Sequence, residues 1–226
     1  IEYPLYWKNK SKLTNLVRDI KNSGKNNRYD IIHGVSGGTD SIYSLYVLKK
    51  LGIRPLAVHI DNGWNSEIAV RNIQQATEIL DIDLYTWVLD WREFKELQLS
   101  FLKASVPDLE IPSDWMIPGA LVRIAANEKV KYYSHGHSFR TEGTAPKKWT
   151  YMDGRYIESI YHKYTGKSLV HYPNLQIWDI FYYNLILKIR EFRILAFVEY
   201  DKTKARRVIE EKLGWEYYGG HHFESH

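Results

Sequence analysis

The sequence contains no cysteine. That absence excludes a disulfide scaffold, thiolate zinc sites, iron–sulfur ligation and a Cys nucleophile within these residues. It says nothing about compartment, because a missing residue cannot report redox state. Long apolar runs are also missing: nothing approaches the roughly eighteen uninterrupted residues that a membrane-spanning helix needs. Charge of one sign is nearly balanced, with 31 Lys plus Arg against 27 Asp plus Glu. The resulting +4, with a pI near 9.0, permits an anionic ligand without demanding a polyanion. Repeats and low-complexity tracts are absent. The chain opens at Ile1, without Met and without a charged-then-apolar leader, which reads as a sequence whose true termini are missing.

What remains is globular in composition. Apolar residues make up 44% and charged residues 26% of 226 residues, which excludes intrinsic disorder and suits one domain, or one with an appendage. Aromatic content is high at 15%, with eighteen Tyr and eight Trp. Most of these are expected in the core and its rims, with stacking platforms for bases or sugars the sharper reading.

Residues 1–28 form a basic lead-in with one weakly amphipathic stretch, Leu13 to Ile20. Strands are then expected at 29–35, 55–60, 84–89 and 131–134, separated by helices at 40–51, from Asn65 or Ser66 onward, at 92–104 and at 117–129. Ala69, Ile73, Ala76 and Leu80 fall at spacings of four, three and four, a single apolar helix face. A loop rich in Pro and acid (Pro107, Asp108, Glu110, Pro112, Asp114) precedes the last of these helices. Alternating strands and helices imply right-handed crossovers, hence an α/β doubly wound parallel sheet whose ligands gather beyond the strands' carboxyl ends. After Gly143 the rhythm changes, with helices expected at 155–164, 176–188 and 203–213 and a strand at 193–198. The expected division is therefore a lead-in at 1–28, a core at 29–143 and a mainly helical extension at 144–226 packed on that core.

The chemistry centres on Val35-Ser36-Gly37-Gly38-Thr39-Asp40-Ser41, between the first strand and its helix. Two consecutive glycines let the backbone turn tightly and bring several N–H groups near one point. Serine hydroxyls add donors and the following helix N-terminus adds partial positive charge, which together make an anion cradle for phosphate. No Gly-Lys-Ser/Thr follows and the dinucleotide pattern is absent, so neither common phosphate-loop signature applies. Asp40 beside polyphosphate calls for Mg²⁺, unless it merely caps the helix.

This heptad resembles the Ser-Gly-Gly-x-Asp-Ser loop of the PP-loop ATP pyrophosphatase superfamily. Four further blocks resemble one branch of it, the N-acetyl sugar amidotransferases of surface and lipopolysaccharide biosynthesis: His59-Ile-Asp-Asn-Gly-Trp-Asn65, Leu97 to Asp108, Thr141-Glu-Gly143 and Gly214 to His222. The resemblance implies the superfamily's fold and a cytoplasmic enzyme that uses ATP and Mg²⁺. It implies that Ser36, Gly37, Gly38, Thr39, Asp40 and Ser41 hold pyrophosphate, with Asp40 as metal ligand, and that Gly136, Thr141 and Glu142 lie near the nucleotide. Branch members also carry a cysteine-containing segment that is not among these residues, so the sequence is expected to be a catalytic core.

Other constellations fall on the same sheet edge. Asp61-Asn62-Gly63-Trp64 follows the second strand; either it is a plain turn, or it places His59 and Asp61 beside adenine and Trp64 and Asn65 at a sugar or ribose. His135-Gly136-His137 follows the fourth strand, and Arg140 could meet phosphate in bidentate fashion. A zinc site there lacks an identifiable third ligand. Lys147, Lys148, Arg206 and Arg207 read as solvated surface, and His221 and His222 have no assigned role.

The expected catalytic residues are Asp40, Arg140 and Glu142. The expected reaction turns the acetamido group of a sugar nucleotide into an acetamidino group through O-adenylylation and ammonia attack. The missing Cys nucleophile sends glutamine hydrolysis to a separate glutaminase, as the resemblance also implies. Nucleic acid is not an expected partner and a homo-oligomer is left open. The competing readings are a tRNA-modifying enzyme of the same superfamily and a nucleotide-binding module without turnover.

Overall fold

The computed structural model describes residues 10–137 and 152–219. Arg140, Thr141, Glu142, Lys147, Lys148, His221 and His222 lie outside them. Among the described residues five parallel strands form one sheet: β1 (Ile31–Val35), β2 (Pro55–Asp61), β3 (Leu84–Val88), β4 (Tyr132–His135) and β5 (Arg190–Glu191), in the order β3-β2-β1-β4-β5. The chain winds outward from β1 through β2 to β3, then returns to add β4 on the other side of β1. That reversal leaves a crevice at the carboxyl ends of β1 and β4, where ligands of such sheets bind.

Burial on both faces explains the apolar runs of the central strands. All five residues of β1 are buried, as are the first six of β2. Leu56, Val58 and Ile60 pack on one face against Phe94, Leu97 and Phe101 of α4 (Trp91–Ala104) and Leu121 of α5 (Ile111–Asn127), with Ile157 and Ile160 of α6 (Gly154–Thr165). Val35 and Ala57 face the other way, toward Ile42 and Leu45 of α2 (Thr39–Lys50), Ile73 of α3 (Glu67–Leu80), and Ile209 and Leu213 of α8 (Lys202–Leu213). The α1 helix (Lys10–Ser23) seals the end of that layer, with Ile20 against Ile31, Leu48 and Ile53.

Helix ends follow their capping residues. Ser66 accepts from the Ala69 amide, Asp90 from Glu93 and Asp201 from Lys204, each satisfying an amide that the helix cannot. Gly214, in the left-handed region, ends α8.

Three expectations need correction. The α5 helix begins at Ile111, so Pro112 and Asp114 belong to its first turn rather than to a loop. Proline suits that position because the N–H it lacks would be unpaired anyway. The helix expected at 176–188 is a five-residue α7 (Ile177–Phe181) running into a π-helical turn at Tyr182–Ile186. The strand expected at 193–198 is a 3₁₀ turn at Ile194–Ala196; the strand is β5, just upstream, where Arg190 and Phe192 donate to the carbonyls of Lys131 and Tyr133. Ile194, Leu195 and Ala196 are all buried, a pattern without the alternation of a half-buried strand. No helix among the described residues is long and apolar enough to cross a membrane.

Candidate functional site

The loop Ser36-Gly37-Gly38 sits at the carboxyl end of β1 and opens directly into α2. Gly37 adopts φ +84°, and a Cβ there would stand 2.5 Å from the Ala69 carbonyl oxygen, so only glycine fits both the turn and the approach to α3. Gly38 is the N-cap of α2 and, having no side chain, offers no cap to the helix's first turn. Asp40 is thus inside the first turn rather than its N-cap. The hydroxyl of Ser41 braces the loop from within: it accepts from the Ser36 amide at 3.1 Å and donates to the Gly38 carbonyl at 3.1 Å. The Ser36 and Ser41 hydroxyls lie 3.2 Å apart, with Ser36 exposed and Ser41 buried. A cradle of amides and hydroxyls that a side chain on Gly37 would disrupt fits a phosphate group.

Gly136 completes the crevice from β4. A Cβ on it would lie 2.4 Å from the Ser41 amide nitrogen, so the chain after β4 presses directly against the first turn of α2. Beneath this contact His33 is fully buried between the two strands. Its Nε2 lies 3.1 Å from the Ser41 carbonyl, which can only accept, so Nε2 carries the proton and Nδ1 accepts from the Ser134 hydroxyl at 2.7 Å. Burial pushes this imidazole down from 6.5 to about 4, partly opposed by the Ser41 carbonyl, and it is neutral near pH 7. His33 therefore ties β4, β1 and the Ser36–Ser41 loop together as a buried polar rivet.

Of the second-strand residues, His59 is buried one step below the loop, paired in register with Val35, with Nδ1 3.4 Å from the Val35 carbonyl. Its imidazole is held below the ordinary value by burial, with the Val35 carbonyl and Asp61 acting the other way. Asp61 ends β2 and accepts from the Gly63 amide at 3.0 Å and the Asn65 side-chain amide at 3.4 Å. Asn62 likewise accepts from the Trp64 amide. The bonds from the Gly63 and Trp64 amides are turn-forming, of the kind that Asp and Asn side chains make to their own backbone two residues on. The turn also presents an aromatic shelf. Trp64 (37% exposed) meets Trp91 (40% exposed) edge to face, with ring centroids 5.2 Å apart, and Trp64 Nε1 donates to Gln98 at 2.9 Å. Trp91 escaped the sequence reading because it opens α4, where nothing local marks it, while Gln98 fell within the Leu97–Asp108 block without a role of its own.

The C-terminal half reaches the loop at two points. The Tyr200 hydroxyl donates to Asp40 Oδ1, and burial together with that carboxylate pushes the phenol's ionisation well upward. The Trp215 indole N–H donates to the Gly37 carbonyl at 2.8 Å. Among the described residues no group of three or more His, Asp or Glu is gathered for a metal, so zinc at His135 and His137 gains no third ligand there. His135 instead lies 3.3 Å from Glu191, whose carboxyl that contact and Arg193 hold down at about 2 against the cost of burial.

No protein-family model matches the chain. The chain is 37% identical over 68 residues to tRNA(Ile)-lysidine synthase from Chlamydia pneumoniae; the stretch is 28% of this chain and 21% of that protein, so the chain spans about a fifth of the curated relative's length. Among solved structures it is similar to a U34-tRNA thiolase from Methanococcus maripaludis (14% identity, 96% of this chain and 69% of that one, TM-score 0.49). It is also similar to an NH3-dependent NAD synthetase from Campylobacter jejuni (16%, 91% and 86%, TM-score 0.40). At such identities and scores nothing about a reaction follows from the structural likenesses. The local sequence match covers too little of either protein to assign the chain to the PP-loop ATP pyrophosphatase superfamily that the Ser36–Ser41 loop resembles, or to its sugar-amidotransferase branch.

Proposed function

We propose that this chain is the ATP-using core of an adenylylating amidotransferase of that superfamily, acting on the acetamido group of a sugar nucleotide. The carrying observation is the cradle of Ser36–Ser41 at the β1–β4 crevice, closed by Gly136, with the aromatic shelf at the end of the neighbouring strand. In this reading Ser36, Gly37, Gly38, Thr39 and Ser41 hold the pyrophosphate portion of ATP, and Asp40 would hold Mg²⁺, whose charge would offset that of the phosphates. His59 and Asp61 line the strand end beside adenine. Trp64 and Asn65, joined by Trp91, meet the sugar, whose apolar ring faces stack on indole.

An amide oxygen is a poor leaving group, so the reaction needs activation. The amide oxygen attacks the α-phosphorus of ATP, the bond to the bridging oxygen breaks and pyrophosphate leaves. Ammonia then adds to the activated carbon, the carbon–oxygen bond breaks, and AMP departs with that oxygen while nitrogen loses its proton. The protein's task is alignment and charge neutralisation, roles this reading gives to the loop amides and to Arg140 and Glu142. Neither step needs a covalent enzyme intermediate, which suits a sequence without cysteine; ammonia comes from a separate glutaminase.

The test is release of AMP and pyrophosphate from Mg·ATP, with ammonium and a panel of 2-acetamido sugar nucleotides. Release that requires both the sugar and ammonium supports the reading, and Asp40→Ala should lower it by at least a hundredfold, on the order of other losses of electrostatic stabilisation. The match to tRNA(Ile)-lysidine synthase keeps one other reading in play: release that requires tRNA instead of a sugar would favour it.

A further inference from the structure

The segment after α8 has no part in the reading above, yet it is fastened to the phosphate loop. Gly214 turns the chain out of α8 at φ +61°, and Trp215 drops into the core with 3% of its surface exposed, beside Val35, Ile42 and Ile73. The next residue is clamped to α3 from both directions. Asn72 Nδ2 donates to the Glu216 carbonyl at 2.9 Å, and the Glu216 amide donates to Asn72 Oδ1 at 2.8 Å. Tyr217 lies under the Arg206 guanidinium, 3.5 Å from the ring centroid, which fixes the strand-like tail to α8 as well. A tail held at so many points puts the indole N–H in one place, 2.8 Å from the Gly37 carbonyl across 178 residues of sequence.

That bond acts on the face of the loop that meets the ligand. In a trans peptide the carbonyl and the following N–H point in opposite directions. Holding the Gly37 carbonyl toward the core therefore turns the Gly38 N–H the other way, where it donates to the exposed Ser36 Oγ at 3.4 Å, a long bond that a phosphate oxygen would compete for. Glycine itself supplies no such preference, since a Gly-Gly pair passes readily through many backbone states. The serine bonds within the loop fix Ser36, Gly38 and Ser41 and leave the Gly37 carbonyl to an outside donor.

We infer that Trp215 is a positioning residue of the phosphate loop: its indole N–H locks the Gly37–Gly38 peptide so that the Gly38 amide faces bound phosphate. The inference rests on the reading of that loop as the ATP site, and it gives the Gly-Trp pair after α8 a part in nucleotide binding without contact to the nucleotide. Trp215→Phe keeps an aromatic ring and removes the donor. Two readouts test it, each against Ile160→Val, a core truncation on the opposite face of the sheet that sets how far lost stability alone moves them. The first is hydrogen exchange of the 35–41 amides without ligand, expected to rise in Trp215→Phe and to stay at the wild-type level in Ile160→Val. The second is the dissociation constant for Mg·ATP and for inorganic pyrophosphate by calorimetry, expected to weaken about tenfold, the worth of one unmade hydrogen bond. Asn72→Ala, which loosens the tail and keeps the indole, should move both in the same direction. Unchanged loop exchange in Trp215→Phe and Asn72→Ala, or affinities within twofold of a wild type that binds ATP, overturns the role of Trp215 alone. A wild type with no affinity for ATP or pyrophosphate overturns the reading of the loop and this inference with it.

Discussion

His33 shows how one side chain sets a dependence on pH. Its folded value is about 4 against an ordinary 6.5, so between those values only the unfolded chain takes up the proton. Stability from this residue is complete above pH 6.5 and falls as pH drops toward 4, by up to about 3 kcal/mol. Urea unfolding across that range should therefore show a steeper loss in wild type than in His33→Gln, and equal slopes would contradict the assignment. The strand-to-helix turn at Ser36–Ser41 was legible because glycines, hydroxyls and a strand-to-helix junction coincide within seven positions. Tyr200 and Trp215 were not legible in their roles: they meet Asp40 and Gly37 across 160 and 178 residues, and no local spacing encodes such a bond.

At the scale of elements, one buried carboxylate organises the join between α4 and the chain after α6. Glu93 accepts from the Val170 amide at 2.6 Å, the His171 amide at 2.8 Å and the Tyr172 amide at 2.5 Å. Phe94 stacks on Tyr172 beside it, with the rings 9° from parallel. Glu93→Ala leaves three amides without their acceptor and should cost about 3 kcal/mol, seen as a lower urea midpoint at constant slope; a loss below about 1 kcal/mol would show that the join is held by packing alone. The elements up to β4, the start of α5 apart, were readable because the central strands carry short apolar runs and the helices apolar faces. Between residues 176 and 198 the apolar period fails, whereas the stripe of α8 was readable and its helix forms where expected. Ile177, Trp178, Phe181, Tyr182, Leu185 and Ile186 are exposed apolar residues, and a π-helical turn changes which of them share a face. The two residues of β5 are too few to show any alternation.

The whole molecule brings sequence-distant parts to one crevice. The strand reversal at β1 places the Ser36–Ser41 loop, Gly136 and the turn after β2 on one sheet edge, and the C-terminal third braces that edge through Tyr200 and Trp215. The lack of cysteine acquires meaning at this scale, since the proposed reaction needs a cradle and a metal ligand rather than a nucleophile. In the proposed reading, what would distinguish an acetamido sugar from any other amide is shape and contacts around Trp64 and Trp91, which composition and periodicity do not encode. The most direct measurement is mass spectrometry of a 2-acetamido sugar nucleotide incubated with the protein, Mg·ATP and ammonium. Replacement of amide oxygen by NH yields a product one mass unit lighter, formed together with AMP and pyrophosphate. A sugar nucleotide of unchanged mass across the whole panel, from protein that binds ATP, would contradict the account.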